Sequence, residues 1–182
     1  MHFLPILEAS AQIQAKVREL RNQEGVRQYM YTSHEISETE HEHWLRSLHG
    51  NTRQEVFVAM SGSEPLGVVS LNAINATHHT ADWAFYLDAS LQGKGIGSRV
   101  EFWMLDYAFG NAGLEKLNCE VLETNASVIK MHQKFGFSIE GVRRQNIIKD
   151  GARIDVVLLG ITKDEWALQR NKMLAVMERL NR

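Results

Sequence analysis

Apolar and polar residues recur along this chain with two periods, and the switches between them mark its elements. Phe3 to Leu7 reads as a short strand, and Ile13, Val17 and Leu20 then fall at helical spacing from Ala9 to Arg21. Arg21 to Tyr31 mixes arginine with tyrosine and keeps no clean period; it suits either a loop that touches something or an ordinary solvated connection. Ser37-Glu-Thr-Glu40 is a capping box, and it opens a helix whose stripe is His41, Trp44, Leu45 and Leu48. Gln54 to Ser61 and Leu66 to Ile74 are rich in Val and Phe and predict two strands joined by a hairpin turn at Ser61-Gly-Ser-Glu-Pro65. In Thr80 to Leu87, Trp83, Phe85 and Leu87 alternate with Ala84 and Tyr86, so both faces are largely apolar, as in a strand covered on each side.

The glycine-rich stretch Gln92-Gly-Lys-Gly-Ile-Gly97 comes next, followed by a helix from Ser98 with Val100, Trp103, Met104, Tyr107 and Ala108 on one stripe, ending near Gly110 or Gly113. Lys116 to Leu122 predicts a strand with Leu117, Cys119 and Val121 on one face and Asn118, Glu120 and Leu122 on the other. Asn125 is placed to cap a short helix carrying Val128, Met131, His132 and Phe135, stopped by Gly136. Phe137 to Lys149 and Ala152 to Ile161 pair around an Asp150-Gly151 turn. A second capping box, Thr162-Lys-Asp-Glu165, starts a last helix expected to turn Trp166, Met173, Leu174, Met177 and Leu180 inward. The order is β α α β β β, glycine loop, α β α β β α, a mixed α/β sandwich.

Composition narrows the class. A chain of 182 residues with two prolines and no linker suits one domain, large enough to bury about 70 % of its unfolded surface. Twenty basic against twenty-two acidic residues argue against a dedicated nucleic-acid binder. A single cysteine, Cys119, permits no intrachain disulfide and suits a reducing cytoplasm. The start lacks a basic and then apolar leader, and no apolar run is long enough for a membrane span. His41 with His43, and His78 with His79, lack the i, i+4 geometry of a helical metal pair, so no metal is expected.

The glycine stretch carries the chemistry. Without Cβ atoms its N–H groups can point into one concavity, and the helix start behind them adds unpaired donors and a favourable dipole, which suits a phosphate or pyrophosphate. A simple glycine-rich turn is the alternative. Lys94 lies between two glycines and precedes no Ser or Thr, so this is not a Walker loop; evenly spaced Gly93, Gly95 and Gly97 do not give the dinucleotide fingerprint G-x-G-x-x-G.

Taken together, Gln92-Gly-Lys-Gly-Ile-Gly97 and Asn125-Ala-Ser-Val-Ile-Lys-Met-His-Gln-Lys-Phe-Gly-Phe137 resemble the GNAT superfamily of acetyl-CoA-dependent N-acyltransferases, over roughly Phe3 to Ile161. The resemblance implies the GNAT acyl-CoA N-acyltransferase fold: a mixed seven-stranded sheet flanked by helices, with the fourth and fifth strands splayed apart. The helix from Thr162 to about Leu180 lies beyond the usual family core and either covers the sheet or contributes to a homodimer. Gln92, Gly93, Lys94, Gly95, Ile96, Gly97 and Ser98 would then hold the coenzyme pyrophosphate. Phe85, Leu87, Asn125, Ser127 and Lys134 would hold the rest of acetyl-CoA, the main-chain N–H near Leu87 polarising the thioester carbonyl. Glu120 is implied as the base, with Glu123 as its rival, and His132 as the acid at a position where many members carry tyrosine. A non-catalytic acyl-CoA-binding module is the alternative from another class, and Glu120 and His132 favour catalysis over it.

For the acceptor, the patterns from Val17 to Met30 and from Ile36 to Leu45 look like the subgroup of ribosomal-protein and spermidine acetyltransferases, and most closely like the N-acetyltransferases of pseudaminic acid synthesis that act on a UDP-4-amino-4,6-dideoxy sugar. Those relatives often carry tryptophan where this chain has Leu20. A nucleotide sugar calls for guanidinium groups and aromatic surface, here Arg21, Asn22, Arg27, Tyr29, Tyr31, His41, Trp44 and Tyr86. A polyamine would need inward-facing carboxylates, and Glu38, Glu40 and Glu42 lie off the apolar stripe. The expected acceptor is therefore a UDP-amino sugar first, a protein N-terminus second and a polyamine third.

Overall fold

In the computed structural model, which describes residues 1–180, a seven-stranded sheet runs in the order β1-β2-β3-β4-β5-β7-β6. Its strands are β1 (His2–Pro5), β2 (Glu55–Ser61), β3 (Glu64–Asn75), β4 (Thr80–Leu87), β5 (Lys116–Leu122), β6 (Ser138–Lys149) and β7 (Ala152–Thr162). Every neighbouring pair is antiparallel except β4 and β5.

That parallel pair places the site. It is joined only from Thr80 opposite Lys116 to Asp82 opposite Asn118, although β4 continues to Leu87 and β5 to Leu122. On their other edges the two strands stay paired to the end, Leu87 with Gly67 of β3 and Leu122 with Val156 of β7. The sheet therefore opens in a wedge, and main-chain groups of β4 and β5 inside it have no strand partner. Gly67 allows β3 to stay close to β4 at the mouth, since a Cβ there would lie 2.1 Å from the Tyr86 carbonyl oxygen.

Helices cover both faces because the strands alternate. On one side α1 (Ala11–Asn22) and α3 (Glu38–Leu48) bury Val17 and Leu48 with Val56, Val58, Met60 and Val68 of the sheet. On the other, α4 (Ile96–Asp106), α5 (Ala126–Phe135) and α6 (Lys163–Leu180) bury the larger core, in which Val100, Met104, Phe135 and Trp166 meet Val69, Leu71, Trp83, Leu117 and Ile161. Truncating a side chain such as Phe135 to alanine would cost about 3–5 kcal/mol there. Both capping boxes form: Ser37 and Glu40 exchange bonds of 3.2 and 2.8 Å, and Thr162 and Glu165 bonds of 3.3 and 2.8 Å. The Ser37 donors hold the Glu40 carboxyl down at about 2.

Several expectations shift. The first strand stops at Pro5, and the aperiodic segment contains a helical turn, α2 (Glu24–Arg27). The helix behind the glycine loop begins at Ile96 rather than Ser98, and it ends in a wide turn in which Ala112 N–H reaches the Tyr107 carbonyl at 2.9 Å. Asn125 sits at a helix start without capping it; its Oδ1 accepts from the Ser127 hydroxyl instead. In α6, Trp166, Met173 and Met177 are buried, but Leu174 and Leu180 are 38 % and 42 % exposed, because they fall at the edges of that arc. Trp166 and Arg170 both donate to Asp106, which fastens α6 over α4, and Arg99 donates to the Leu180 carbonyl beside the glycine loop. The C-terminal helix thus covers the sheet. Among the described residues no helix is long and apolar enough to cross a membrane.

Candidate coenzyme and acceptor cleft

The wedge between β4 and β5 opens into a cleft of about 950 Å³ that runs from the glycine loop to the segment Tyr29–Thr32. At the loop end, Gly93 and Gly95 both adopt φ +75, a left-handed conformation that glycine enters without strain. Gly97 lies in the first turn of α4, where a Cβ would come 3.3 Å from the Met131 sulfur. The earliest helical bond is Arg99 N–H to the Gly95 carbonyl, so the N–H groups of Ile96, Gly97 and Ser98 have no intrahelical partner. Three unpaired donors at a positive helix end fit a pyrophosphate. The unpaired edges of the wedge fit the amides of a pantetheine arm, with Asn125 and Ser127 on its wall. Coenzyme A carries both groups and would supply the acetyl group as a thioester.

Midway along the cleft, His132 projects from α5 and is 2 % exposed. Its ring packs among those of Trp83, Phe85 and Phe137, and its Nδ1 lies 2.9 Å from Oε1 of Glu101, a fully buried carboxylate on α4. Burial pushes the Glu101 carboxyl up, and the histidine beside it opposes that shift. Cys119 also reaches the cleft wall, where burial holds its thiol well above the usual range.

At the acceptor end, alternation along β4 and β5 turns Asp82 and Glu120 into the cleft. Glu120 is held by the Arg143 guanidinium and by the Tyr31 hydroxyl, which donates to it. Burial and that hydrogen bond raise the Tyr31 phenol, keeping it a neutral donor. Burial likewise raises the Asp82 carboxyl above its ordinary range, against a hydrogen bond from Asn118. Arg21 lines the opposite wall; it donates to Thr32, and its Nη1 is buried without a partner.

The Arg27–Ser33 segment is positioned by a residue from across the fold. Lys149, at the end of β6, is buried and gives its ammonium to the Arg27 and Met30 carbonyls and the Ser33 hydroxyl at 3.0, 2.9 and 2.7 Å. Leaving such acceptors without a donor costs about 1–3 kcal/mol each. Lys149→Met should therefore raise the acceptor KM roughly tenfold and leave the coenzyme KM unchanged in steady-state assays. An unchanged acceptor KM would show that the segment holds itself.

Most of the residues singled out in the sequence meet in this one cleft: Phe85, Leu87, Gln92, Gly93, Gly95, Gly97, Ser98, Asn125, Ser127, Glu120 and His132, with Arg21, Tyr29, Tyr31 and Tyr86 on the acceptor side. Others lie elsewhere. Lys94 and Lys134 are exposed outside the lining, and Ile96 packs on the main core. His41 and Trp44 face the α1–α3 core, since the stripe that makes α3 amphipathic points them at the sheet. Asn22 and Arg27 brace the loop through Ile36, Ser33 and Glu35. Glu123 accepts from the Asp155 N–H at the strand end, away from the cleft. Asp82, Glu101, Arg143 and Lys149 were not anticipated. Asp82 and Glu101 did leave a trace, each a carboxylate within an otherwise apolar strand or helix.

The open parallel pair and the glycine loop at its mouth define a class, and residues 17–137 match the acetyltransferase (GNAT) family, to which the chain belongs. The spermidine N(1)-acetyltransferase of Escherichia coli K12 is 30% identical over 110 residues, 60% of this chain and 59% of that protein. The chain thus spans well under two thirds of that relative's length. The acetyltransferase PseH of Campylobacter jejuni is 27% identical over 119 residues, 65% of this chain and 73% of that one. The crystal structure of spermidine N-acetyltransferase from Vibrio cholerae in complex with CoA and spermine superposes with a TM-score of 0.83 at 21% identity, covering 91% of this chain and 97% of that one, which shows the shared fold.

Proposed function

We propose that this protein transfers an acetyl group from acetyl-CoA to the amine of a UDP-amino sugar. One observation carries the reading: a single cleft joins the helix start suited to an anion and the strand wedge to an end lined by a guanidinium and aromatic rings, Arg21, Tyr29 and Tyr31, together with the carboxylates Asp82 and Glu120. The guanidinium and the rings suit a diphosphate and a pyrimidine, and the carboxylates suit the amine. The likeness to PseH supports the same reading. A polyamine acceptor is the second reading. It is favoured by Asp82 and Glu120, which come from the sheet rather than from α3, and by the spermidine-acetylating relatives.

In this reading Glu120, steadied by Tyr31 and Arg143, draws in the amine and accepts its proton, and Asp82 lowers the potential around it. The main-chain N–H near Leu87 donates to the thioester carbonyl, and His132 protonates the departing sulfur. A non-catalytic coenzyme-binding protein would need the glycine loop and the wedge but neither of these side chains. Glu120→Gln should depress the rate most at low pH, where few acceptor molecules are free amines, and the deficit should shrink as pH rises toward the acceptor's own pKa. A deficit that is the same at every pH would remove Glu120 as the base. The acceptor is tested by comparing kcat/KM for a UDP-4-amino-4,6-dideoxy sugar, spermidine and an alanine-starting peptide. The sugar nucleotide should lead, and a higher value for spermidine would establish the second reading instead.

A further inference from the structure

We propose that Glu101 is a positioning residue that holds Nδ1 of His132, so that the ring presents Nε2 to the cleft as the proton donor for the departing thiolate. This rests on the reading of His132 as the acid.

Glu101 occupies the centre of the buried arc of α4, with Met104, Leu105 and Ala108 following at i+3, i+4 and i+7, where an apolar residue would ordinarily stand. It is fully buried, its Oε1 meets His132 Nδ1 at 2.9 Å, and its Oε2 is buried without a partner. A lone carboxylate in that setting is costly, and so is a lone imidazolium. Together they form a net-neutral unit holding two protons, one between Oε1 and Nδ1 and one on Nε2. Nδ1 is committed to Glu101, so Nε2 is the ring nitrogen free to act in the cleft that His132 lines.

The step balances. Attack of the amine nitrogen on the thioester carbonyl forms the C–N bond, and the C–S bond breaks with its electron pair leaving on sulfur. Nε2 gives that sulfur its proton, the proton shared with Oε1 stays on Nδ1, and the pair is left with one negative charge, reloading from solvent. The amine's own proton leaves through Glu120. Elsewhere around the pair the titratable groups are Cys119 of β5, whose thiol feels the Glu101 charge, and Asp82 of β4 and Glu120 of β5, which act on that same thiol. None of them takes the place of Glu101 at Nδ1.

Three measurements test this. In Glu101→Gln, kcat should fall roughly 10- to 100-fold with the coenzyme dissociation constant nearly unchanged. An unchanged kcat would overturn the proposal. In a His132→Ala background the same substitution should cost nothing further, and an additive loss would show that Glu101 acts by another route. If Glu101→Gln fails to fold, 15N NMR of His132 in the wild-type protein still decides. At high pH the neutral ring should carry its proton on Nδ1, the minor tautomer of free histidine; an Nε2–H ring would overturn the proposal. If His132→Ala leaves kcat intact, it is the acid role that fails, and the tautomer reports separately on the pairing.

Discussion

Replacing His132 with alanine should lower kcat by roughly a hundredfold or more, the usual contribution of a positioned general acid, while the coenzyme still binds with nearly its original dissociation constant. The separation is expected because His132 lies among Trp83, Phe85 and Phe137 in the middle of the cleft, whereas the donors suited to the pyrophosphate are main-chain groups at the start of α4. Losing a buried ring also leaves a cavity and an unpaired Glu101, so the melting temperature should drop as well. His132→Gln keeps most of the volume and one hydrogen-bonding group, and its kcat should remain low although its stability recovers. Wild-type kcat in a folded His132→Gln protein would remove the histidine from the chemistry.

The second large effect is expected at the glycine loop. Gly97 stands in the first turn of α4 without a left-handed φ, so a larger residue can keep the backbone there while projecting its side chain toward Met131 and the cleft. Gly97→Glu should place a carboxylate where the pyrophosphate belongs and raise the coenzyme KM about a hundredfold, equivalent to about 2.7 kcal/mol or the loss of one or two charge-assisted hydrogen bonds. Its kcat at saturating coenzyme should change far less. An unaltered coenzyme KM would mean that the anion is bound somewhere other than the start of α4.

Regular elements were legible in the sequence because their periods are clean: β4 and β5 begin and end where the alternation of Thr80 to Leu87 and Lys116 to Leu122 places them, and Ser37-x-x-Glu40 and Thr162-x-x-Glu165 form the boxes they spell. The glycine-loop end of the cleft was legible for the same reason, since local main-chain geometry builds it. The opposite end was not, because its members come from distant parts of the chain. Lys149 reaches back 119 positions to pin Met30, and Arg143 reaches back 23 to hold Glu120, contacts that no local period encodes. His41 and Trp44 were misplaced for a related reason. An aromatic stripe on a helix shows that it packs against something, and here that something is the sheet beneath α1 and α3 rather than the cleft. Glu101 could have been noticed as a carboxylate on an apolar arc, but its partner His132 is thirty-one positions away.

The most direct test of acetyl transfer in this cleft is free thiol released from acetyl-CoA by the purified protein, with and without a UDP-4-amino-4,6-dideoxy sugar, alongside mass analysis of the product. The expected result is thiol release that depends on the sugar nucleotide and matches, mole for mole, the appearance of its N-acetylated form. No thiol release above background with the sugar nucleotide, spermidine or the peptide would contradict it.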